Sequence, residues 1–129
     1  DHTNCEFIMN YAVCTTAMNV NAKAIIAYTN TGNTARMVSS FGPGCPVFAI
    51  TQNETTYRQL GLYWGIIPKW FEPQPNIDVL LHKGLDKLKE ENFLLKGDKV
   101  VIDGGTKVLT DVPTEDLTRN SVIGGVVEI

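Results

Sequence analysis

Lys23-Ala-Ile-Ile-Ala-Tyr28, followed at once by Thr29-Asn-Thr-Gly-Asn-Thr34, is the stretch on which the reading of the fold turns. Its apolar run reads as a buried strand, and the chain then bends through Gly32 into Ala35-Arg-Met-Val38, which can wind as a helix. A strand, a phosphate-sized turn and a helix start follow one another. Helix N-termini direct unpaired N–H groups and the positive end of the macrodipole at whatever lies in front of them. Thr29, Thr31 and Thr34 add hydroxyls around the same small space. That chemistry suits a phosphate monoester. The competing reading is structural: Asn33 or Thr34 caps the helix, and Gly32 permits a tight turn.

The chain has 129 residues, one domain's worth, and residues 1–129 are read as a single unit. A chain of this size buries about two-thirds of the surface its unfolded form exposes. Apolar residues at 43% and charged residues at 19% exclude a disordered chain. No apolar run approaches the ~20 residues of a membrane span. A net charge of −3 without a basic cluster lacks the electrostatic footprint of nucleic acid or anionic lipid, so neither partner is expected. Cys5, Cys14 and Cys45 are widely spaced, form no C-x-x-C pair and find no paired histidine in His2 and His82. No zinc site or disulfide framework is expected, and a reducing, cytoplasmic setting is. The chain begins Asp1-His2-Thr3, without Met or a targeting segment, which reads as a piece of something longer or as the trace of a removed tag.

Outward from the central stretch, Ile8, Tyr11 or Ala12, Thr15 and Met18 recur at helical spacing, with Asn4 as N-cap and Asn19 and Asn21 as stops. A second helix runs to about Phe41, where Gly42-Pro-Gly44 breaks it before the strand Pro46-Val-Phe-Ala-Ile50. Thr51-Gln-Asn53 opens a third helix carrying Tyr57, Leu60 and Tyr63 on one face, and Trp64-Gly-Ile-Ile67 is a short apolar segment ended by proline. Asn76 caps a helix whose Ile77, Leu80, Leu81, Leu85 and Leu88 recur at three and four, while Asp78, Lys83, Lys87 and Lys89 face water. Lys96-Gly-Asp98 is a turn, Lys99-Val-Val-Ile102 a strand, and Ser121 to Ile129 a β-branched closing strand. Residues 103–120 between them form a loop longer than compact domains usually carry.

Four strands each preceded by a helix, then a fifth without one, predict an α/β fold. It is a three-layer sandwich with a five-stranded, mostly parallel sheet, the last strand antiparallel, and helices on both faces. In such open sheets ligands gather beyond the carboxyl ends of the strands, near the switch in strand order, which is where Thr29 to Thr34 lie. Nothing assembles into a catalytic site of nucleophile and base, paired carboxylates or converging metal ligands. His82 reads as a surface residue beside Lys83, Asp103 as a carboxylate at the ligand edge that caps the loop, and Trp64 and Trp70 as core or interface rings. The chemistry on offer is binding.

The chain also resembles the C-terminal domain of the pyruvate kinases. The resemblance runs through Asn21-Ala-Lys-Ala-Ile-Ile26, Thr29-Asn-Thr-Gly-Asn-Thr-Ala-Arg-Met-Val38, Pro43-Gly-Cys-Pro-Val-Phe-Ala-Ile-Thr51 and Asn53-Glu-Thr-Thr-Tyr-Arg-Gln-Leu60. It continues in Trp64-Gly-Ile-Ile-Pro68 and Lys96-Gly-Asp-Lys-Val-Val-Ile102. It implies a domain with no catalytic residues, packed against a catalytic barrel, that supplies part of a homotetramer interface and binds a sugar-phosphate effector such as fructose 1,6-bisphosphate. It further implies no cofactor in this domain, and a parent enzyme that uses Mg and K ions with ADP and ATP. The family's phosphate loop falls on Thr29, Thr31, Gly32 and Thr34, with Asn30 and Asn33 at positions that hold cationic or small polar residues.

Two features depart from the family pattern. Gly42 stands where an Arg is usual, and Thr106 to Asn120 replaces a Gly-rich loop. That replacement carries Asp111, Glu115 and Asp116 against Lys107 and Arg119, which disfavours a second phosphate. Thr29-x-Thr-Gly-Asn-Thr34 also resembles the phosphate loop of the flavodoxins, which would imply an FMN-binding electron carrier. That resemblance covers only a dozen residues, and a flavodoxin would start with this strand instead of a helix. An independent phosphate-binding domain of the same fold is the third alternative.

Overall fold

The computed structural model describes residues 2–104 and 125–129, with side chains from Glu6 onward. Most of the expected 103–120 loop, its charged residues Lys107, Asp111, Glu115, Asp116 and Arg119, and the expected strand start at 121–124 lie outside the described residues. In chain order the elements are α1 (His2–Asn19), β1 (Ala24–Tyr28), α2 (Asn33–Ser40), β2 (Val47–Thr51), α3 (Glu54–Leu60), β3 (Ile66–Trp70), α4 (Ile77–Glu90), β4 (Lys99–Asp103) and β5 (Gly125–Glu128).

The strands form one five-stranded sheet in the order β3-β2-β1-β4-β5. β1 pairs in parallel with β2 and β4, placing Ile25 opposite both Val47 and Val101. β2 pairs in parallel with β3, and β5 closes the sheet antiparallel to β4. The expected α/β sandwich with an antiparallel last strand is the observed one. Alternation along β1 feeds two cores. Ala24 and Ile26 join Leu80, Leu81, Leu85 and Leu88 of α4 on one face, while Ile25 and Ala27 join Val13 and Ala17 of α1, Ala35 and Val38 of α2, and Leu60 of α3 on the other. A strand buried on both faces needs continuous apolar sequence, which explains the unbroken run from Ala24 to Ala27.

α4 forms where its sequence predicts. The Asn76 side chain accepts the Val79 N–H at 2.9 Å, which satisfies one of the donors a helix start leaves open. Gly84 lets the helix approach β2 closely, because a Cβ there would stand 3.0 Å from Ile50 Cδ1. Below the helix, Lys69 Nζ donates to the two carboxylate oxygens of Glu91 at 2.8 and 3.1 Å.

The structure corrects the packing of α1. The helix starts at His2, ahead of Asn4, and among its described side chains it buries Asn10, Val13, Cys14 and Ala17. Ile8, Tyr11 and Met18, which recur at the expected helical spacing, are 64%, 54% and 57% exposed. Short side chains let a helix lie close to the sheet, so the longer apolar ones turn outward. There Phe7 and Tyr11 stack with centroids 6.3 Å apart, and both meet the edge of Phe41.

Three boundaries also move. β2 extends through Thr51, and Asn53 alone caps α3 by accepting the Thr56 N–H at 3.1 Å. α3 ends at Leu60, so its buried face is Thr56 and Leu60, and Tyr63 falls in the following turn. β3 runs through Pro68 instead of ending before it. Its place at the sheet edge makes that possible, since an edge strand has one side on which a missing N–H breaks no ladder bond.

Leu81 is fully buried in the α4 core, so Leu81→Ala should lower the unfolding free energy by about 2–5 kcal/mol in urea titrations. The Lys69 hydrogen bond is the main cause that holds the Glu91 carboxyl below its usual range, against an opposing effect of burial. A carboxylate depressed in the folded chain adds stability that is present above its unfolded pKa and lost as pH falls through the folded value. Thermal melts of wild type and Glu91→Gln should therefore differ at neutral pH, with wild type the more stable, and converge as the pH drops below the usual glutamate range.

Candidate functional site

Strand order reverses at β1: the chain proceeds from β1 toward β2 and β3 on one side, then crosses back to β4 on the other. The segment Thr29 to Thr34 leaves the carboxyl end of β1 at that switch point. Thr29 is buried, its N–H donates to the Ile50 carbonyl at 3.0 Å, and its Oγ1 accepts the Gly32 N–H at 2.7 Å. This closes the turn and commits the Gly32 N–H to the protein. The Asn30 carbonyl accepts from the Thr56 hydroxyl of α3 at 2.7 Å, so a second helix braces the loop.

Gly32 occupies the N-cap position of α2 at φ +94°, with no side-chain capping bond. The capping alternative for Asn33 and Thr34 is thereby corrected: both lie inside the helix, Asn33 as its first residue. Thr31 is exposed, and its Oγ1 lies at a long 3.4 Å from the Asn33 N–H. Thr34 is only 8% exposed as a residue, but its hydroxyl, which makes no hydrogen bond among the described residues, still reaches solvent. The loop thus presents Thr31, Thr34 and the open N–H groups of the first turn of α2, while Thr29 and Asn30 hold it in shape.

Two neighbours escape a reading of the loop alone. Arg36 donates to Asn33 Oδ1 and places Cζ 5.6 Å from the centroid of the Tyr63 ring. The helical spacing of Asn33 and Arg36, three apart, was a usable signal for the first contact. The second joins α2 to the turn after α3, and no local pattern reports it.

The remaining candidates do not converge on this loop. Asp103 is fully buried at the end of β4, in register with Ala27. Glu54, in the first turn of α3, pairs with Arg58 at 3.5 Å. His82 lies 3.8 Å from Asp78, one turn away on α4. Burial raises the thiols of Cys14 and Cys45, so both stay protonated and poorly nucleophilic. Among the described residues no three His, Cys, Asp or Glu side chains group into a metal site. No helix among them is long and apolar enough to cross a membrane. Trp64 is 97% exposed, which removes the core reading for that ring, whereas Trp70 is anchored by its Nε1–H to the Gln52 carbonyl at 3.2 Å.

The positive φ at Gly32 is a conformation that costs an L-residue about 1–2 kcal/mol. A Cβ there would also stand 3.1 Å from Leu60 Cδ2. Gly32→Ala should thus destabilise the chain by at least about 1 kcal/mol in urea titrations.

Fold and loop together define an open, mostly parallel α/β domain with an anion-suited turn at its switch point. Comparison with known proteins names the family. The profile described as "Pyruvate kinase, alpha/beta domain" matches residues 9–115. The pyruvate kinase of Sporosarcina psychrophila is 34% identical over 123 residues, covering 95% of this chain and 21% of the relative. That of Clostridium acetobutylicum is 37% identical over 102 residues, covering 79% of this chain and 22% of the relative. A crystal structure of a Cryptosporidium parvum pyruvate kinase superposes with a TM-score of 0.78 at 25% identity, over 95% of this chain and 22% of the other. The chain belongs to the pyruvate kinase family, as its C-terminal α/β domain. It spans about a fifth of the length of the relatives it matches. Both α1 ahead of β1 and the extent of the match favour this family over the flavodoxins.

Proposed function

We propose that this chain is the regulatory and oligomerisation domain of a pyruvate kinase and binds a sugar-phosphate effector at the loop of Thr29, Asn30, Thr31, Gly32, Asn33 and Thr34, with Thr31, Asn33 and Thr34 facing the ligand and Thr29, Asn30 and Gly32 holding the loop in shape. The parent enzyme would transfer a phosphoryl group from phosphoenolpyruvate to ADP, giving pyruvate and ATP, with Mg and K ions held outside this domain. The observation that carries the effector reading is the Thr34 hydroxyl, which reaches solvent in the first turn of α2 without a protein partner among the described residues, beside N–H groups that have no side-chain cap. A phosphate oxygen satisfies both at once. Thr31 adds an exposed hydroxyl, and the Asn33 N–H, only weakly held at 3.4 Å, is the backbone donor nearest to release.

The domain's partners in this reading are a catalytic barrel and further copies of the same enzyme in a cytoplasmic homotetramer. Tyr63 and Trp64, with Trp70 and Phe71, supply the aromatic anchors such interfaces use. Fructose 1,6-bisphosphate is the effector tested first.

Each hydroxyl-to-phosphate bond contributes about 1.5–3 kcal/mol, as a bond to a charged acceptor. Calorimetric titration with fructose 1,6-bisphosphate should show Thr31→Ala binding at least about tenfold more weakly than wild type, with an unchanged folded spectrum. Equal affinity in both proteins, or no heat in either, would reduce the loop to a braced turn. The chain by itself should not turn over phosphoenolpyruvate and ADP above a heat-killed control, because phosphoryl transfer needs metal-held phosphates.

A further inference from the structure

The Arg36 guanidinium sits in an electrostatically unfavourable place. Arg36 is the fourth residue of α2, and helical side chains lean toward the N-terminus. Its Nη1 reaches Gly32 so closely that a Cβ on that glycine would stand 2.5 Å from it. The cation is therefore parked at the positive end of the helix, where the macrodipole repels it. Among the described residues no carboxylate pairs with it. Its neighbours are neutral: Asn33 Oδ1, which accepts one hydrogen bond, and the Tyr63 ring. A guanidinium carries five donors, so this one is left with charge and hydrogen-bonding capacity to spare.

One turn of helix thus gathers three features that an anion would complement: a cation without a carboxylate partner at a positive pole, N–H groups without a side-chain cap, and a solvent-reaching Thr34 hydroxyl without a partner among the described residues. An anion in front of the loop answers all of them. We infer that Arg36 is a ligand of that anion and selects a dianionic phosphate monoester. The inference rests on the reading that the loop binds phosphate. The helix pole and the Thr hydroxyls meet one part of the charge, and the guanidinium fork, which matches two phosphate oxygens, meets the rest. Asn33 and Tyr63 hold the fork beside the loop before any ligand arrives, which lowers the ordering cost of binding. A phosphate monoester passes from monoanion to dianion near pH ~6, so its affinity should rise through that range. A phosphate diester, which stays a monoanion, should bind weakly at every pH.

The test is calorimetric titration of wild type, Arg36→Lys and Arg36→Met with inorganic phosphate and with fructose 1,6-bisphosphate. It is accompanied by the NMR signal of the Arg36 Nε–H in wild type during the phosphate titration. Methionine keeps an apolar stem to pack on Tyr63. Arg36→Met should lose at least about tenfold in affinity for both probes, and Arg36→Lys should fall between the two, since lysine keeps the charge without the fork. The wild-type Nε–H signal should shift with the calorimetric midpoint, a readout that requires no variant to fold. Wild-type binding with unchanged affinity in both variants, or with a stationary Nε–H signal, would overturn the role of Arg36 and leave the phosphate reading standing. Absence of binding by wild type would overturn both.

Discussion

The structure depends on the double burial of β1. Ala24, Ile25, Ile26 and Ala27 are all 0% exposed, because the strand has a parallel neighbour on each side and a helical layer on each face. Alternate side chains supply the two cores, so neither helical layer could be seated without it. The same central position makes the end of β1 the point where strand order reverses. The candidate loop inherits its location from the packing of the strand that precedes it.

Once the strand is seated, the loop has little freedom. The Thr29 amide is tied to β2 through Ile50, its hydroxyl closes on the Gly32 N–H, and the Asn30 carbonyl is tied to α3 through Thr56. These bonds use the inner half of the loop for structure and leave the outer half to solvent. A hydroxyl pattern in sequence counts three threonines alike, but folding divides them. Thr29 becomes a strut, while Thr31 and Thr34 remain available.

α1 shows how packing overrides apolar spacing. The helix is apolar on several sides, so periodicity could not select the face that meets the sheet. Val13, Cys14 and Ala17 win because compact side chains allow closer approach, and burial there is shared with α2. The cost falls on the outer side, where Phe7, Ile8, Tyr11 and Met18 stay in water. Trp64 is exposed in the same way beyond α3. Exposed apolar clusters are surfaces on which other parts of a protein can pack, and this chain spans about a fifth of its relatives' length.

The sequence by itself determined the sheet and its direction, since alternating helices and apolar strands with short connections admit few topologies. It also determined α4 and its Asn76 cap, where three-and-four spacing and capping chemistry agree, and it marked Thr29 to Thr34 as the loop of interest through a strand, a glycine and a helix in succession. The path of β3 through Pro68 was not legible, because tolerance of proline depends on lying at an edge, and strand order is a property of the assembled sheet. Nor were the inner face of α1, the division of labour among the three threonines, or the meeting of Arg36 with Tyr63. Each of these rests on contacts between segments distant in the chain, where what decides is which surfaces fit and which polar groups are left to pair, and only the tertiary structure brings those groups within reach.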